Sequence, residues 1–423
     1  MSRIRLLAVC AGFGLEAYDW GLYPLLLCYF GPSFFGGDPQ HALFSGFAVF
    51  AAGFLTRPLG GLVLGRYADT RGRRPAMRLC LAGAGIAALG MALTPSGTTV
   101  GVAAPILVLL WRTLLGFSFG GETPLGHSYM YEMTPQQRRG AGAALLATAA
   151  CIGGIVANLL VLGLVLALGP DGMAAGGWRI PFLVGALASM LFAALRGGLA
   201  ESGEFELRRH QAYSWWSARR SLAVPMLSVA GVTIGAAASF YLWSAVPTAY
   251  AITLLHLDDT QVLLATSTAS LVNVVALPLF GRLGDRVGCA RLLSSAATVM
   301  TVAIGPLLYC LDHGGVPGYW IVVLASHLIM AGMVATMPAV LAGLVPARYR
   351  VTAEALPYTA VVTLFGGTMP MLKQLTADHP VLLTAYVMLL LSITVATTRW
   401  ADRREPADAR PVLVPPRTVP QQG

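Results

Sequence analysis

Gly65-Arg66-Tyr67-Ala68-Asp69-Thr70-Arg71-Gly72-Arg73-Arg74 separates two long apolar runs, and Gly281-Arg282-Leu283-Gly284-Asp285-Arg286-Val287-Gly288 separates two more. Each stretch sets a glycine four residues before an aspartate and crowds arginines around it. The two stand about half the chain apart. Basic turns are common after apolar runs, but the shared Gly-x-x-x-Asp register indicates an internal duplication.

Composition sets the medium in which the duplicated halves fold. Of 423 residues, 11% are charged and 56% hydrophobic, with a mean hydropathy of +0.69. A soluble domain carries roughly 25% charge, and a chain this long needs polar surface on several domains. This composition excludes a soluble enzyme, a disordered protein and a disulfide-stapled secreted domain. Long apolar runs without alternation predict membrane helices and not a barrel.

A spanning helix needs about 20 apolar residues. Twelve such runs are read, near 6–30, 42–64, 76–94, 102–130, 141–168, 179–198, 222–248, 260–280, 289–311, 319–345, 352–373 and 380–398. The net charge of +9 comes from 28 basic residues, of which Lys373 is the only lysine. Most of the arginines fall before span 1 or after spans 2, 4, 6, 8, 10 and 12, whereas the opposite loops hold mainly Asp38, Asp171, Asp258, Asp259, Asp312 and Asp378. Positive loops stay in the cytoplasm, so both termini are expected there. This distribution also argues against nucleic acid as a partner. The expected architecture is an all-α integral membrane protein of twelve transmembrane helices in two pseudo-symmetric six-helix bundles. Residues 1–198 and 222–398 form the bundles, 199–221 a cytoplasmic central loop, and 399–423 a proline-rich disordered tail. Six scattered cysteines without CxxC spacing are expected to pack in helices and to hold no metal.

Further stretches carry a family resemblance. Glu16-Ala17-Tyr18-Asp19-Trp20-Gly21-Leu22-Tyr23 lies in span 1, and Arg57-Pro58-Leu59-Gly60-Gly61 precedes the first basic loop. Span 4 holds Gly116-Phe117-Ser118-Phe119-Gly120-Gly121-Glu122, and Gly177-Trp178-Arg179-Ile180-Pro181-Phe182 opens span 6. Glu201-Ser202 follows span 6, and Arg350 and Phe365-Gly366-Gly367-Thr368-Met369-Pro370 mark span 11. Together with the two basic loops, this order resembles the major facilitator superfamily, and within it the metabolite:proton symporters. The chain departs from the usual pattern at Ala17, Thr70, Leu115, Thr123-Pro124, Gly203 and Thr359. The resemblance implies the major facilitator fold, alternating access, and a bacterial inner-membrane location. It also implies that Glu16, Asp19 and Arg112 belong to the proton and substrate machinery.

Charge inside hydrocarbon is costly, so each intramembrane ionisable residue is a functional candidate. Glu16 and Asp19 are three residues apart on one helix face, which Tyr23 continues. At a rise of 1.5 Å per residue, Glu16 and Arg112 each lie about 15 Å into their spans from opposite ends. The three groups are therefore expected to meet near the midplane. Two neighbouring carboxylates resist joint ionisation, and a substrate that engages the guanidinium would favour protonation of an acid. That linkage couples substrate to proton, unless the cluster is a structural ion pair.

The other candidates are weighed against plainer roles. Arg57, about 22 Å into span 2, reads as a gate or packing charge more readily than as a substrate ligand. Glu122 reads as an inward proton relay or a snorkelling acid. Gly65, Asp69, Arg71, Gly72, Arg73, Gly281, Asp285 and Arg286 form the expected cytoplasmic gate, in which an acid can hold a helix N-terminus in one state and release it in the other. Tyr18, Tyr241, Trp243, Asn273 and His327 are candidate cavity residues or, equally, packing groups. His127 suggests no role. Without a Walker loop, HExxH, dinucleotide fingerprint or paired-Cys site, no cofactor is expected and the proton is the coupling ion. The expected function is proton-coupled import of a small polar metabolite, an organic acid first. Import of a zwitterion such as betaine or proline, and proton-driven export of drugs or siderophores, are the alternatives. A monomer suffices for any of them.

Overall fold

The computed structural model describes residues 3–36, 39–208, 215–245, 247–253, 255–376 and 379–403. Most of the tail expected at 399–423 lies outside these residues, as do Asp38, Asp378 and part of the central loop.

The chain is all-helical. The long helices are α1 (Arg3–Phe35), α2 (Pro39–Arg71), α3 (Arg73–Leu93), α4 (Ala103–Met133), α5 (Arg139–Gly172) and α6 (Arg179–Leu195). After a short helix at Gly203–Arg208 follow α7 (Trp215–Ala245), α8 (Asp259–Val287), α9 (Cys289–His313), α10 (Gly315–Val334, continued by Met337–Leu344), α11 (Arg350–Val361, continued through a π-helical turn to Leu375) and α12 (Pro380–Asp402). Among the described residues, eleven of these segments are long and apolar enough to cross a membrane. The exception is α1, which is 33 residues long but is diluted by Glu16 and Asp19.

Several helices outrun the apolar stretches that predict them. In α2 the helix continues past residue 64 through the arginine-rich turn to Arg71. Polar residues can extend a helix beyond hydrocarbon, and hydropathy alone does not see them. Arg57 consequently lies mid-helix, not towards one end.

Neighbours repeat under a shift of six helices. In the first six, α2 packs on α4, α3 on α4 and α6, and α1 on α5. In the last six, α8 packs on α10, α9 on α10 and α12, and α7 on α11. Between the two sets, α2 runs along α11 and α5 along α8. The α2–α4 seam is built from small residues. A methyl group at Gly60 would overlap the Phe117 carbonyl, and one at Gly116 the Gly53 carbonyl. Small residues let helices approach where lipid offers no hydrophobic drive between them. Large apolar residues such as Leu55, Leu166 and Val302 point outward instead.

Candidate functional site

The centre of the first six helices separates the expected cluster into two. The Glu16 carboxylate pairs with the Arg57 guanidinium of α2, and its other oxygen accepts from Thr123 Oγ1 at 2.8 Å. Arg57 also lies 4.7 Å from the Trp20 ring centre. Arg57 is thus a packed, paired charge, deeper in the helix bundle than its place in the apolar run suggests. Glu16 has a cation and a hydroxyl, which satisfies a buried acid.

Asp19 is arranged differently. It is 1% exposed, and neither carboxylate oxygen meets a hydrogen-bond donor among the described residues. Arg112 is 3% exposed, with its guanidinium 3.9 Å over the Tyr23 ring and Nε and Nη2 unbonded. Both residues line one cavity of about 10 Å³ with Trp111, Leu115 and Phe182. That is about the room one water needs, and far too little for a metabolite. The Tyr23 hydroxyl donates to Gly46 O at 3.1 Å, which fixes the ring under the arginine. An acid and a cation thus face each other without closing a pair, against the expectation of one joined trio. The signal was present in the spacing: Glu16 and Asp19 share a broad face but reach different neighbours.

Other candidates have structural partners. Glu122 is fully buried and held in bidentate fashion by Arg196, at 2.6 and 2.9 Å. It neither snorkels nor faces a cavity. Tyr18 donates to Pro181 O at 2.8 Å and ties α1 to α6. Trp243 is buried in the core of the last six helices. His327 bonds Val323 O of its own helix at 2.8 Å. Asn273 is half-buried with its amide oxygen unbonded. Tyr241 crosses to the other side of the molecule, its ring 6.1 Å from Phe54 of α2. It packs beside Gly366 in the π-helical turn of α11, where Thr363 donates to Phe54 O at 3.0 Å.

At the arginine-rich end, the two duplicated aspartates do the same thing. Asp69 accepts from the backbone N–H of Val351 and Thr352, at 3.3 and 2.9 Å, and from Thr352 Oγ1 at 2.6 Å. Asp285 accepts from the backbone N–H of Gly140 and Ala141, at 2.6 and 3.1 Å. Each caps the first turn of a helix in the opposite set, α11 or α5, where unpaired N–H groups and the helix dipole favour an anion. Gly65 and Gly281 permit the approach: an added methyl would meet the Thr352 backbone at one and Ala144 at the other. Gly72 takes φ +117° in the turn to α3, beside Glu201.

Arg73 is buried and donates to Asp69 at 2.7 Å, Glu132 at 3.1 Å and Ala347 O at 2.8 Å. Arg71 and Arg286 are exposed and lie outside this network.

Sequence reasoning misses Glu132, which binds Arg73 and also Arg350 of α11, the latter at 2.9 Å. Glu204 of the central loop adds to Arg350 at 2.7 Å. Glu201 accepts from the N–H of Arg73 and Arg74 at the start of α3. Also missed are Thr123, Arg196, Thr352 and a buried contact between His127 and Glu354 at 2.6 Å. A second repeat could have pointed to the gate's receiving ends. Pro135 and Pro346 each precede a 3₁₀ turn that leads into α5 or α11 with an arginine. At the other end, Lys373 pairs with Asp312 at 3.2 Å and lies 4.4 Å from the Tyr250 ring centre. Burial, and then a hydrogen bond to Asp312, push the Tyr250 phenol up to about 12.

Two sets of helices, clamped to each other at one end by duplicated caps and holding a buried charge centre, have the build of a membrane transporter. Comparison with known proteins agrees. Residues 37–224 match the family described as sugar (and other) transporter, and 227–419 match the Major Facilitator Superfamily. The citrate-proton symporter of Salmonella typhi is 31% identical over 389 residues, covering 88% of each chain. The alpha-ketoglutarate permease of Escherichia coli K12 is 28% identical, covering 87% of this chain and 86% of the relative. The solved proton:xylose symporter XylE, bound to 6-bromo-6-deoxy-D-glucose, superposes with a TM-score of 0.71 at 16% identity and 94% coverage of both chains. The chain belongs to the major facilitator superfamily and, within it, to the metabolite:proton symporters. It is a transporter, not an enzyme.

Proposed function

We propose that the chain imports a small organic acid together with protons. The observation that carries this reading is the unclosed pair of Asp19 and Arg112 on one buried cavity. Arg112 has N–H groups free for a carboxylate, and Asp19 has oxygens free for a proton. A bound carboxylate draws the guanidinium's field away from Asp19, so substrate and proton occupancy rise together. Arg57 and Glu16 pair beside Trp20 where the first set of helices faces Tyr241 of the second. Relatives named for citrate and alpha-ketoglutarate support a carboxylic acid as cargo.

In this reading α1 is the twelfth span, and both termini lie on the arginine-rich cytoplasmic side of a bacterial inner membrane. Residues 1–198 and 222–398 are the bundles that rock about the substrate, joined by 199–221 and followed by the tail at 399–423. The caps at Asp69 and Asp285 close the cytoplasmic side. No cofactor is required beyond the coupling proton, nucleic acid is not a partner, and a monomer suffices.

Proteoliposomes loaded at neutral pH and diluted into acidic buffer with labelled citrate or 2-oxoglutarate test the reading. Accumulation abolished by a protonophore is expected. Accumulation of proline or betaine instead, protonophore-insensitive uptake, or drug extrusion without acid uptake would overturn it.

A further inference from the structure

Above the caps, one polar contact joins the two sets of helices at a level the transport scheme leaves unused. His127 Nδ1 of α4 lies 2.6 Å from Glu354 Oε1 of α11, with side-chain exposures of 3% and 0%. The other carboxylate oxygen, Oε2, has no hydrogen-bond partner. Phe13 of α1 and Tyr358 of α11 cover the imidazole, with ring centres 5.5 and 5.8 Å away. Glu354 falls two to three residues, less than one helical turn, after the α11 residues that Asp69 caps.

The charged groups around this pair divide into two groups. On the gate side, Asp69, Arg73, Glu132 and Arg350 are bonded to one another or to helix ends, and Arg139 of α5 stacks on Tyr131 at 3.5 Å. On the central side are Glu16 and Arg57, which hold each other, and the phenols of Tyr241 and Tyr358. The facing segment of α10, Met337–Leu344, carries no titratable group. The gate-side charges are therefore committed to bonds of their own.

We propose that His127 and Glu354 form a proton-carrying latch, an inference that rests on the proton-coupled transport proposed above. With a proton on Nδ1, the imidazole donates to Oε1 and holds α4 to α11 across the two halves. A further proton binds the free Oε2. Glu354 becomes a neutral acid, the attraction weakens, and α11 can leave α2 and α4. Opening exposes the acid to the cytoplasmic side, the proton on Oε2 leaves, and the latch re-forms. One proton is gained and one is lost per cycle, with no other bond made or broken.

Glu354→Gln, His127→Ala and the double variant test this in the full chain. Amide hydrogen exchange at residues 350–361, corrected for intrinsic rates, needs no substrate and reads the latch directly. In the parent protein, protection should fall about tenfold from pH 8 to pH 5, and in Glu354→Gln it should not vary with pH. Glu354→Asp should restore part of the response. Labelled citrate serves as the transport probe. Glu354→Gln should keep citrate counterflow within about twofold while gradient-driven accumulation drops at least about tenfold, because only net proton movement needs the titrating oxygen. If Glu354→Gln does not fold, His127→Ala is read instead: without the donor, protection at pH 8 should already be as low as the parent's at pH 5. Parent protection that is indifferent to pH, or Glu354→Gln with parent-like exchange, overturns the latch whatever is transported. If the parent moves no citrate while exchange responds as stated, the substrate reading fails and the latch stands.

Discussion

At the residue scale, the contrast between two acids in the first six helices is the most informative feature. Glu122 is buried against Arg196, with both side chains fully covered. Asp19 is just as buried but holds no donor. Removing one partner of a buried pair strands a charge, so Glu122→Ala should lower stability by about 3–5 kcal/mol. A fall in the thermal midpoint of the purified protein checks this, and an unchanged midpoint would refute it. Asp19→Asn removes a charge without breaking a bond. It should leave the thermal midpoint unchanged or raised while proton-driven uptake falls at least about tenfold. A destabilised Asp19→Asn that transports normally would mean that the acid is structural. The types and spacings of both acids were legible in the sequence, but their different fates were not. Arg196 lies 74 residues from Glu122 and approaches it only after α6 folds back along α3.

At the element scale, the fold repeats one device: an aspartate at the end of α2 or α8 caps a helix start on α11 or α5. A charged cap is worth about 1–2 kcal/mol in a partly buried setting. The two copies are not equal. Asp69 is reinforced by Arg73, Glu132 and Arg350, whereas Asp285 makes only its two backbone bonds among the described contacts. Asp69→Asn should therefore loosen the arginine-rich side more than Asp285→Asn. Exchange of the Val351 and Thr352 amides, compared with Gly140 and Ala141 in the matching variants, measures the difference; equal or reversed effects would contradict it. The duplicated Gly-x-x-x-Asp pattern made the donors of this device readable. Its receivers were not, because a backbone N–H carries no side-chain signature and any helix start offers one.

At the scale of the whole molecule, the proposed transport cycle requires the α2–α11 seam to part. A Cβ placed on Gly61 would lie 3.1 Å from the Ala355 Cβ, so a shift of about half an ångström outward brings the pair to the separation of a disulfide. Gly61→Cys with Ala355→Cys should oxidise readily and reduce uptake at least about tenfold, with recovery on reduction. Full transport in the oxidised form would show that this seam stays closed throughout the cycle.

The sequence by itself determined the medium, the helical class, the duplication and the list of costly charges. These follow from local composition, because hydrocarbon tolerates only helices with closed backbone bonds and few charges. Only the tertiary structure decided which charge met which. Arg57 took Glu16, Arg196 took Glu122, and Asp19 was left facing Arg112 across a small cavity. Pairing between helices depends on rotation and depth after packing. An error of a few residues in where a helix ends turns a side chain to another face, and a hydropathy profile does not fix those ends.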